Sequence, residues 1–293
     1  MPDSRNSPDS ATRSWRIGSQ NLVPGETPWL MGIVNTTPDS FSDGGKFVEP
    51  TAAVDWALRL VEDGADIIDI GGESTRPGAD PVGADEEVRR VVPVIEQIAR
   101  HSNVLISVDT TKGVVARASL SAGARIVNDI SGLTFDPEMT AVCAAAQAGI
   151  ICMHMRGTPQ TMQNEPRYDD VVEEICRYLD ERMLALAQQG ISRECVAIDP
   201  GIGFGKTAAH NLEILRNIAA LRGLRRPVCI GHSRKQFLKK LLGRPVDERL
   251  FATVGISVAV ALQGAEIIRV HDVAATRDAI LACRAILPAG SII

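Results

Sequence analysis

The chain has 293 residues, 45% hydrophobic and 23% charged, an ordinary balance for a globular protein and a length that suits one barrel-sized α/β domain or two smaller ones. Its 36 acidic and 31 basic residues leave a formal charge of −5, and the absence of a dense Lys/Arg run argues against nucleic acid as a partner. Six scattered cysteines form no CxxC pair, five histidines show no HxH or HxxxH spacing, and no run reaches the ~20 apolar residues of a membrane span, so a cytoplasmic protein with free thiols and no zinc site is the simplest reading.

Residues 1–14 are polar, rich in Ser, Pro and Asp, and lack the apolar core of a leader or anchor, so a disordered tail is expected there. Residues 15–28 suit a short hairpin or cap, which completes an N-terminal segment of 1–28. From Trp29 a rhythm begins in which a short aliphatic run, a Gly/Asp/Asn break and a helix-periodic segment repeat. The runs are Trp29–Val34, Asp66–Ile70, Val104–Val108, Arg125–Val127, Ile150–Met153, Cys195–Ile198, Pro227–Ile230 and Ile267–Val270. Helices are predicted near 51–63, 84–100, 112–122, 137–148, 169–189, 208–221, 233–242 with 248–263, and 272–287. Gly64, Gly123, Gly149, Gly190 and Gly264 read as helix stops.

Unbroken strand–helix alternation with strands apolar on both faces predicts a parallel sheet covered by helices. Eight such units over residues 29–287, before a C-terminal tail of 288–293, predict a (β/α)₈ barrel. A doubly wound open sheet is the competing architecture, and it would normally open on a GxGxxG turn that this chain lacks.

A barrel of this kind carries its site at the C-terminal ends of its strands. Here those ends are Asn35-Thr36-Thr37, Gly71-Gly72-Glu73-Ser74-Thr75-Arg76-Pro77, Ser107-Val108-Asp109-Thr110, Asn128-Asp129, His154-Met155-Arg156, Asp199-Pro200-Gly201, Gly231-His232-Ser233-Arg234-Lys235 and Arg269-Val270-His271-Asp272. Asp109, Asp129 and Asp272 could each be no more than a helix N-cap, and Thr110 and Ser233 are equally plausible caps. Asp199 precedes Pro200 and cannot cap a helix immediately after it. Asp109 and Asp199 beside Asn128 suit a flat heterocycle bearing N–H and amino donors, and Lys235 adds a cation for a carbonyl or ring nitrogen.

Arg269 and His271 share one face of the last strand and, with Asn35 and Arg76, make an anion-binding group; the plain alternative is an Arg269–Asp272 surface pair. His154 reads as a satisfied strand-end histidine, and His210 and His232 as structural or exposed. Gly205-Lys206-Thr207 resembles the end of a phosphate loop, but the first glycine of GxxxxGK[ST] falls on Pro200. Phe41 and Phe204 could line an aromatic ligand, whereas Phe237 packs its own helix.

The segments MGIVNTTPDSFSDGG, DIGGESTRPGA, SVDTTK, NDISGL, MHMRGTPQTMQ, IDPGIGFGKT, GHSRK and RVHD resemble, in order, the motif series of the dihydropteroate synthase family. The resemblance runs from Trp29 to Arg284. It implies a (β/α)₈ barrel, usually homodimeric, that joins 6-hydroxymethyl-7,8-dihydropterin diphosphate to p-aminobenzoate and releases diphosphate. Asp109, Asn128, Asp199 and Lys235 would then hold the pterin, and Asn35 would ligate Mg²⁺. Arg269 and His271, with Arg76, would bind the diphosphate, while Thr75, Arg76, Pro77 and Phe204 would shape the p-aminobenzoate pocket where sulfonamides also bind. Asp109, Lys235 and Arg76 would act in catalysis, and the loops Asn35–Lys46, with Phe41 at its tip, and Ser74–Pro77 would fold over the site.

His232 and Gln236 depart from the family pattern, which has small residues there, and Gln236 falls near the p-aminobenzoate end. A pterin-binding methyltransferase domain shares the barrel and the pterin carboxylates but has no use for a diphosphate group or an STRP loop. A catalytically silent homologue would be expected to have lost some of Asn35, Arg76, Lys235, Arg269 and His271.

Overall fold

Two short strands, β1 (Trp15–Ile17) and β2 (Gln20–Leu22), pair antiparallel ahead of eight parallel strands. These are β3 (Trp29–Asn35), β4 (Ile67–Gly71), β5 (Leu105–Asp109), β6 (Ile126–Asp129), β7 (Gly149–Met153), β8 (Val196–Asp199), β9 (Cys229–Ile230) and β10 (Ile267–Val270). They follow one another around the order β8-β7-β6-β5-β4-β3-β10-β9. The ends of that order meet through a parallel bridge between Ile198 and Val228 and a 2.9 Å hydrogen bond from the Ile198 amide to the Pro227 carbonyl. The sheet is therefore the closed (β/α)₈ barrel expected from the alternation. The structure, a computed structural model, describes residues 13–37, 50–75 and 79–287. Pro38–Lys46 of the expected cover, with Phe41, and Arg76 and Pro77 of the expected p-aminobenzoate loop lie outside the described residues.

Helices pack around the outside: α1 (Pro50–Glu62), α2 (Ala84–His101), α3 (Gly113–Ala122), α4 (Met139–Ala146), α5 (Val171–Gln188), α6 (Ala208–Arg216), α7 (Ile218–Arg222), α8 (Gln236–Leu242), α9 (Leu250–Leu262) and α10 (Val273–Ile286). Where the expectation was one helix over 208–221, the chain breaks at Asn217 into α6 and α7. The segment expected to be helical from 233 starts at Gln236, because Ser233–Lys235 forms the turn that leaves β9. Gly64, Gly123, Gly190 and Gly264 take left-handed φ values of 96°, 125°, 89° and 86°, as helix stops do, whereas Gly149 instead begins β7 and the non-glycine Gln147 (φ 50°) makes the stop.

Alternation along each strand sorts the core. Ile68 and Ile70, Ile106 and Val108, Val196 and Ile198, and Ile268 and Val270 face outward against the helices in one large cluster. Their neighbours Ile67, Ile126, Ile151, Ala197, Cys229 and Ile267 face inward and form an apolar floor, closed from below by Trp15 and Ile17 of the hairpin. Two residues further along the same inward phase, β4, β6, β8 and β10 carry Asp69, Asn128, Asp199 and Arg269. The floor thus becomes a polar layer in a single step along the strands.

Candidate active site

Asn35, Gly71, Asp109 and Asn128 are register partners across β3, β4, β5 and β6, so they form one row at the C-terminal rim of the barrel. The aliphatic runs end one or two residues before these polar groups, yet Asn35, Asp109, Asp129 and Asp199 are the last residues within their strands. Ladder hydrogen bonds therefore fix their backbones. Gly71 keeps the row open: a Cβ there would sit 3.6 Å from the Asp109 Cβ and 3.9 Å from the Asn35 Oδ1.

Beneath this row lies an ion network. Arg269 donates from Nε to Asp69 Oδ2 at 2.6 Å and from Nη2 to Asp109 Oδ2 at 2.7 Å. Asn128 Nδ2 donates to the same Asp69 oxygen at 3.1 Å. Burial pushes the Asp109 carboxyl up to about 7, against the pull of the Arg269 guanidinium and with Asp69, Glu87 and Asp129 adding to the rise. Burial opposes the Arg269 charge, yet Asp69 and Asp109 hold its pKa above the ordinary arginine value. The Arg269–Asp272 alternative does not form; Asp272 instead takes Nε of Arg234 at 3.0 Å.

Across the mouth, Asp199 is 6% exposed and accepts the Gly201 amide on Oδ1 at 2.7 Å. Its other oxygen looks toward Gly231, 3.8 Å from where a Cβ would stand. Burial raises its pKa, and Lys235 opposes that rise most strongly. The Lys235 ammonium donates to the Ile202 carbonyl and lies 4.4 Å from the centroid of the Phe204 ring. Burial draws Lys235 down to about 8, with Asp199 the main restraint.

Lys206, which sequence reasoning considered only as part of a failed phosphate loop, is 3% exposed and donates to His154 Nδ1 at 3.0 Å and to the Phe204 carbonyl at 2.9 Å. It ties the loop after β8 to the end of β7. His154, buried beside this amine and edge-on to Tyr178, is drawn down to about 2, first by burial and then by Lys206 and Arg156. That agrees with its reading as a satisfied strand-end histidine.

On the remaining side, a cavity of about 220 Å³ is lined by Thr75, Asp109, Thr110, Lys112, Ile130 and Phe135, among others. Lys112 donates to Glu87 at 2.5 Å and to Glu73, whose other oxygen accepts the Val82 amide at 2.9 Å. That triad closes the loop bearing Thr75 onto α2. His271 Nδ1 and the Ser233 hydroxyl are 2.8 Å apart, so Ser233 orients the ring and is no cap. Asp129 accepts the Ser131 amide and hydroxyl, both at 2.7 Å, in a turn and not at a helix N-terminus. Fully buried His232 bonds through Nε2 to the Thr253 carbonyl at 2.9 Å, and Gln236 is exposed as the first residue of α8.

Sequence reasoning missed Asp69. Its signal was present: a lone carboxylate inside the apolar run Ile67–Ile70, on the inward phase that Ile67 and Gly71 share.

Among the described residues, no group of three or more His, Cys, Asp or Glu could hold a metal. Asn35 offers one hard oxygen, Oδ1, on the side of the row where Gly71 carries no side chain. That donor set fits an ion that keeps its waters and arrives with a phosphate ligand, which is the habit of Mg²⁺.

The family profile for pterin binding enzymes matches residues 31–271. The chain is 47% identical over 264 residues to the dihydropteroate synthase of Escherichia coli strain K12, covering 89% of this chain and 93% of that one. It superposes on the Xanthomonas albilineans dihydropteroate synthase with 4-aminobenzoic acid at a TM-score of 0.87 and 43% identity, covering 95% of this chain and 100% of the other. A structure of the Xanthomonas albilineans enzyme in complex with 7,8-dihydropteroate matches with a TM-score of 0.83 and 40% identity over 94% of this chain and 100% of that one.

Proposed function

The chain belongs to the pterin-binding enzyme family, and from that membership we infer that it catalyses the dihydropteroate synthase reaction of folate biosynthesis. The reaction joins 6-hydroxymethyl-7,8-dihydropterin diphosphate to p-aminobenzoate. The carbon–oxygen bond of the pterin methylene breaks with its electron pair leaving on the diphosphate oxygen. The arylamine lone pair then forms the carbon–nitrogen bond, and the surplus proton on nitrogen passes to solvent.

The observation that carries this reading is the convergence of Asp109, Asn128, Asp199, Lys235 and Arg269, drawn from five strand ends, on one mouth. Asp199 Oδ2 suits an N–H or amino donor of the pterin ring, since Oδ1 already accepts the Gly201 amide. Asn128 presents its carbonyl oxygen, because its Nδ2 is committed to Asp69. Lys235 suits an acceptor on the ring. An ionised Asp109 stabilises positive charge on the methylene as the leaving group departs.

Arg269 and His271 take the diphosphate, with Arg76 assisting from a loop outside the described residues. When bound at Asn35, Mg²⁺ supplies charge neutralisation to that leaving group. Thr75, Pro77 and Phe204 shape the p-aminobenzoate pocket.

Self-association and a cytoplasmic setting belong to the same reading. A homodimer is supported by the outer face of α9 and α10, where Phe251 is 86% and Leu281 46% exposed. Six free cysteines support a reducing compartment, and among the described residues no helix is long and apolar enough to cross a membrane.

The test is diphosphate release by the purified chain with pterin diphosphate, Mg²⁺ and p-aminobenzoate. Release is expected only when both substrates are present, and Asp109→Ala is expected to slow it by about 10²-fold or more. No release by the wild type, or equal release by the variant, overturns the reading.

A further inference from the structure

Asp69 is fully buried on β4, one layer below the row that contains Asp109. A single carboxylate oxygen, Oδ2, accepts from Arg269 Nε at 2.6 Å and from Asn128 Nδ2 at 3.1 Å, while Oδ1 has no hydrogen-bond partner among the described residues. We propose that Asp69 is a positioning residue that sets, through this one oxygen, the orientation of two substrate-binding side chains, Asn128 and Arg269. The proposal rests on the dihydropteroate synthase reading of the same mouth.

The Asn128 part follows from donor–acceptor logic. A carboxylate offers no proton, so a flipped Asn128 amide would set two oxygens 3.1 Å apart. Asp69 therefore holds Nδ2 downward and leaves the carbonyl oxygen for the pocket. A ligand must then bring an N–H to that point, as a pterin does and an oxygen-edged ring does not. Asp69 thus contributes to ring selection without touching the ring.

The Arg269 part follows from the two separate contacts. Asp69 holds Nε and Asp109 holds Nη2, so the guanidinium has a fixed lower attachment and an upper one that faces the mouth. An anionic leaving group can draw Nη2 away from Asp109 while Nε stays on Asp69. The exchange frees Asp109 when charge develops beside it, and the arginine does not have to find its place again.

A scaffold role alone explains this carboxylate poorly. The floor below it is apolar, an aliphatic side chain would continue that floor, and a buried ion pair gives little net stability over a hydrophobic replacement. The unpartnered Oδ1 is a further cost that packing does not require.

The test compares the wild type with Asp69→Asn, a near-isosteric change that removes the charge. Binding of the free pterin alcohol and of pterin diphosphate is measured by calorimetry, followed by Michaelis constants for both substrates and a pH–rate profile. Expected is about a tenfold loss of pterin affinity, with the p-aminobenzoate Michaelis constant changed less than about twofold, and a clear reduction of the Asp69→Asn effect in an Asn128→Ala background.

The acid limb of the profile is also expected to move to lower pH. Asp109 is faced by Arg269 on β10, Lys235 at the start of α8, Asp69 on β4, Glu87 on α2 and Asp129 on β6. Removing one of those negative charges makes Asp109 easier to ionise.

Unchanged pterin affinity with an unmoved acid limb overturns the proposal, as does full additivity with Asn128→Ala. Asp69→Ser, which keeps a small acceptor, repeats the test if the first variant is unstable; failure of both to fold overturns the proposal in favour of a scaffold role. A wild type without diphosphate release would instead overturn the assigned reaction, while the pterin-binding comparison still reads out Asp69.

Discussion

Two groups at the mouth titrate close to neutrality from opposite sides. Burial lifts Asp109 to about 7 and lowers Lys235 to about 8, so only a narrow band of pH holds the carboxylate ionised and the ammonium protonated together. Below that band Asp109 takes up a proton and no longer stabilises the methylene; above it Lys235 loses one and no longer donates to the ring. The value of kcat/KM for pterin diphosphate is therefore expected to follow a bell whose acid limb, at about 7, reports Asp109 and whose alkaline limb, at about 8, reports Lys235. Rates measured across neutral and alkaline pH check this, and Lys235→Gln should flatten the alkaline limb of pterin binding. A profile flat from pH 6 to pH 9 would contradict the roles given to both residues. The same pair shows what sequence can carry at this scale. Asp109, Asp199 and Lys235 were legible because each ends a strand or follows one in a polar break. Asp69 was not, because a carboxylate inside an apolar run looks like noise until the inward phase of the strand and the reach of Arg269 are both known.

Strand–helix units were legible almost to the residue because two-sided burial makes each barrel strand a continuous aliphatic run, and a left-handed glycine closes most of the helices between them. Breaks decided by side-chain chemistry were harder to read. Thr207 and His210 form a reciprocal cap that fixes where α6 begins, and Asn217 divides α6 from α7, although the aliphatic periodicity runs through both. Helix α9 matches the helix predicted over 248–263, but its periodicity does not show what its two faces meet. Its polar residues Thr253 and Ser257 are fully buried beside His232, whereas Phe251 is 86% and Leu262 37% exposed. Val260 and Ala261 complete the buried face, so the helix is apolar on both sides, and an outward apolar stripe of this kind is expected where a partner surface covers it. On the homodimer reading, Phe251→Glu should convert the protein to a monomer in sedimentation-velocity runs without changing its helix content. A variant that sediments as the wild type does would remove this face from consideration as the dimer contact.

The molecule as a whole divides its labour between the two ends of the barrel. The C-terminal rim carries the ion network and the cavity, and the opposite end is closed by the hairpin. Trp15 is fully buried there, donates from its indole to the Cys195 carbonyl at 2.8 Å and packs with its ring centroid 6.3 Å from that of Trp29. Arg226 holds the approach to the hairpin by donating to the Ser14 carbonyl at 2.7 Å, and Gly18 donates to the Gln147 carbonyl at 2.8 Å. Because the floor of Ile67, Ile126, Ile151 and Ile267 separates this plug from the polar layer, damage to the plug should reach stability before it reaches chemistry. Trp15→Ala removes a large buried ring together with its hydrogen bond, a change that costs about 3–5 kcal/mol in well-packed cores. The midpoint of urea unfolding is expected to fall accordingly, while both Michaelis constants at low temperature stay within about twofold of the wild type. If Trp15→Ala instead weakens pterin binding in a protein that remains fully folded, the floor transmits strain to the layer above it, and the separation of the two ends is wrong.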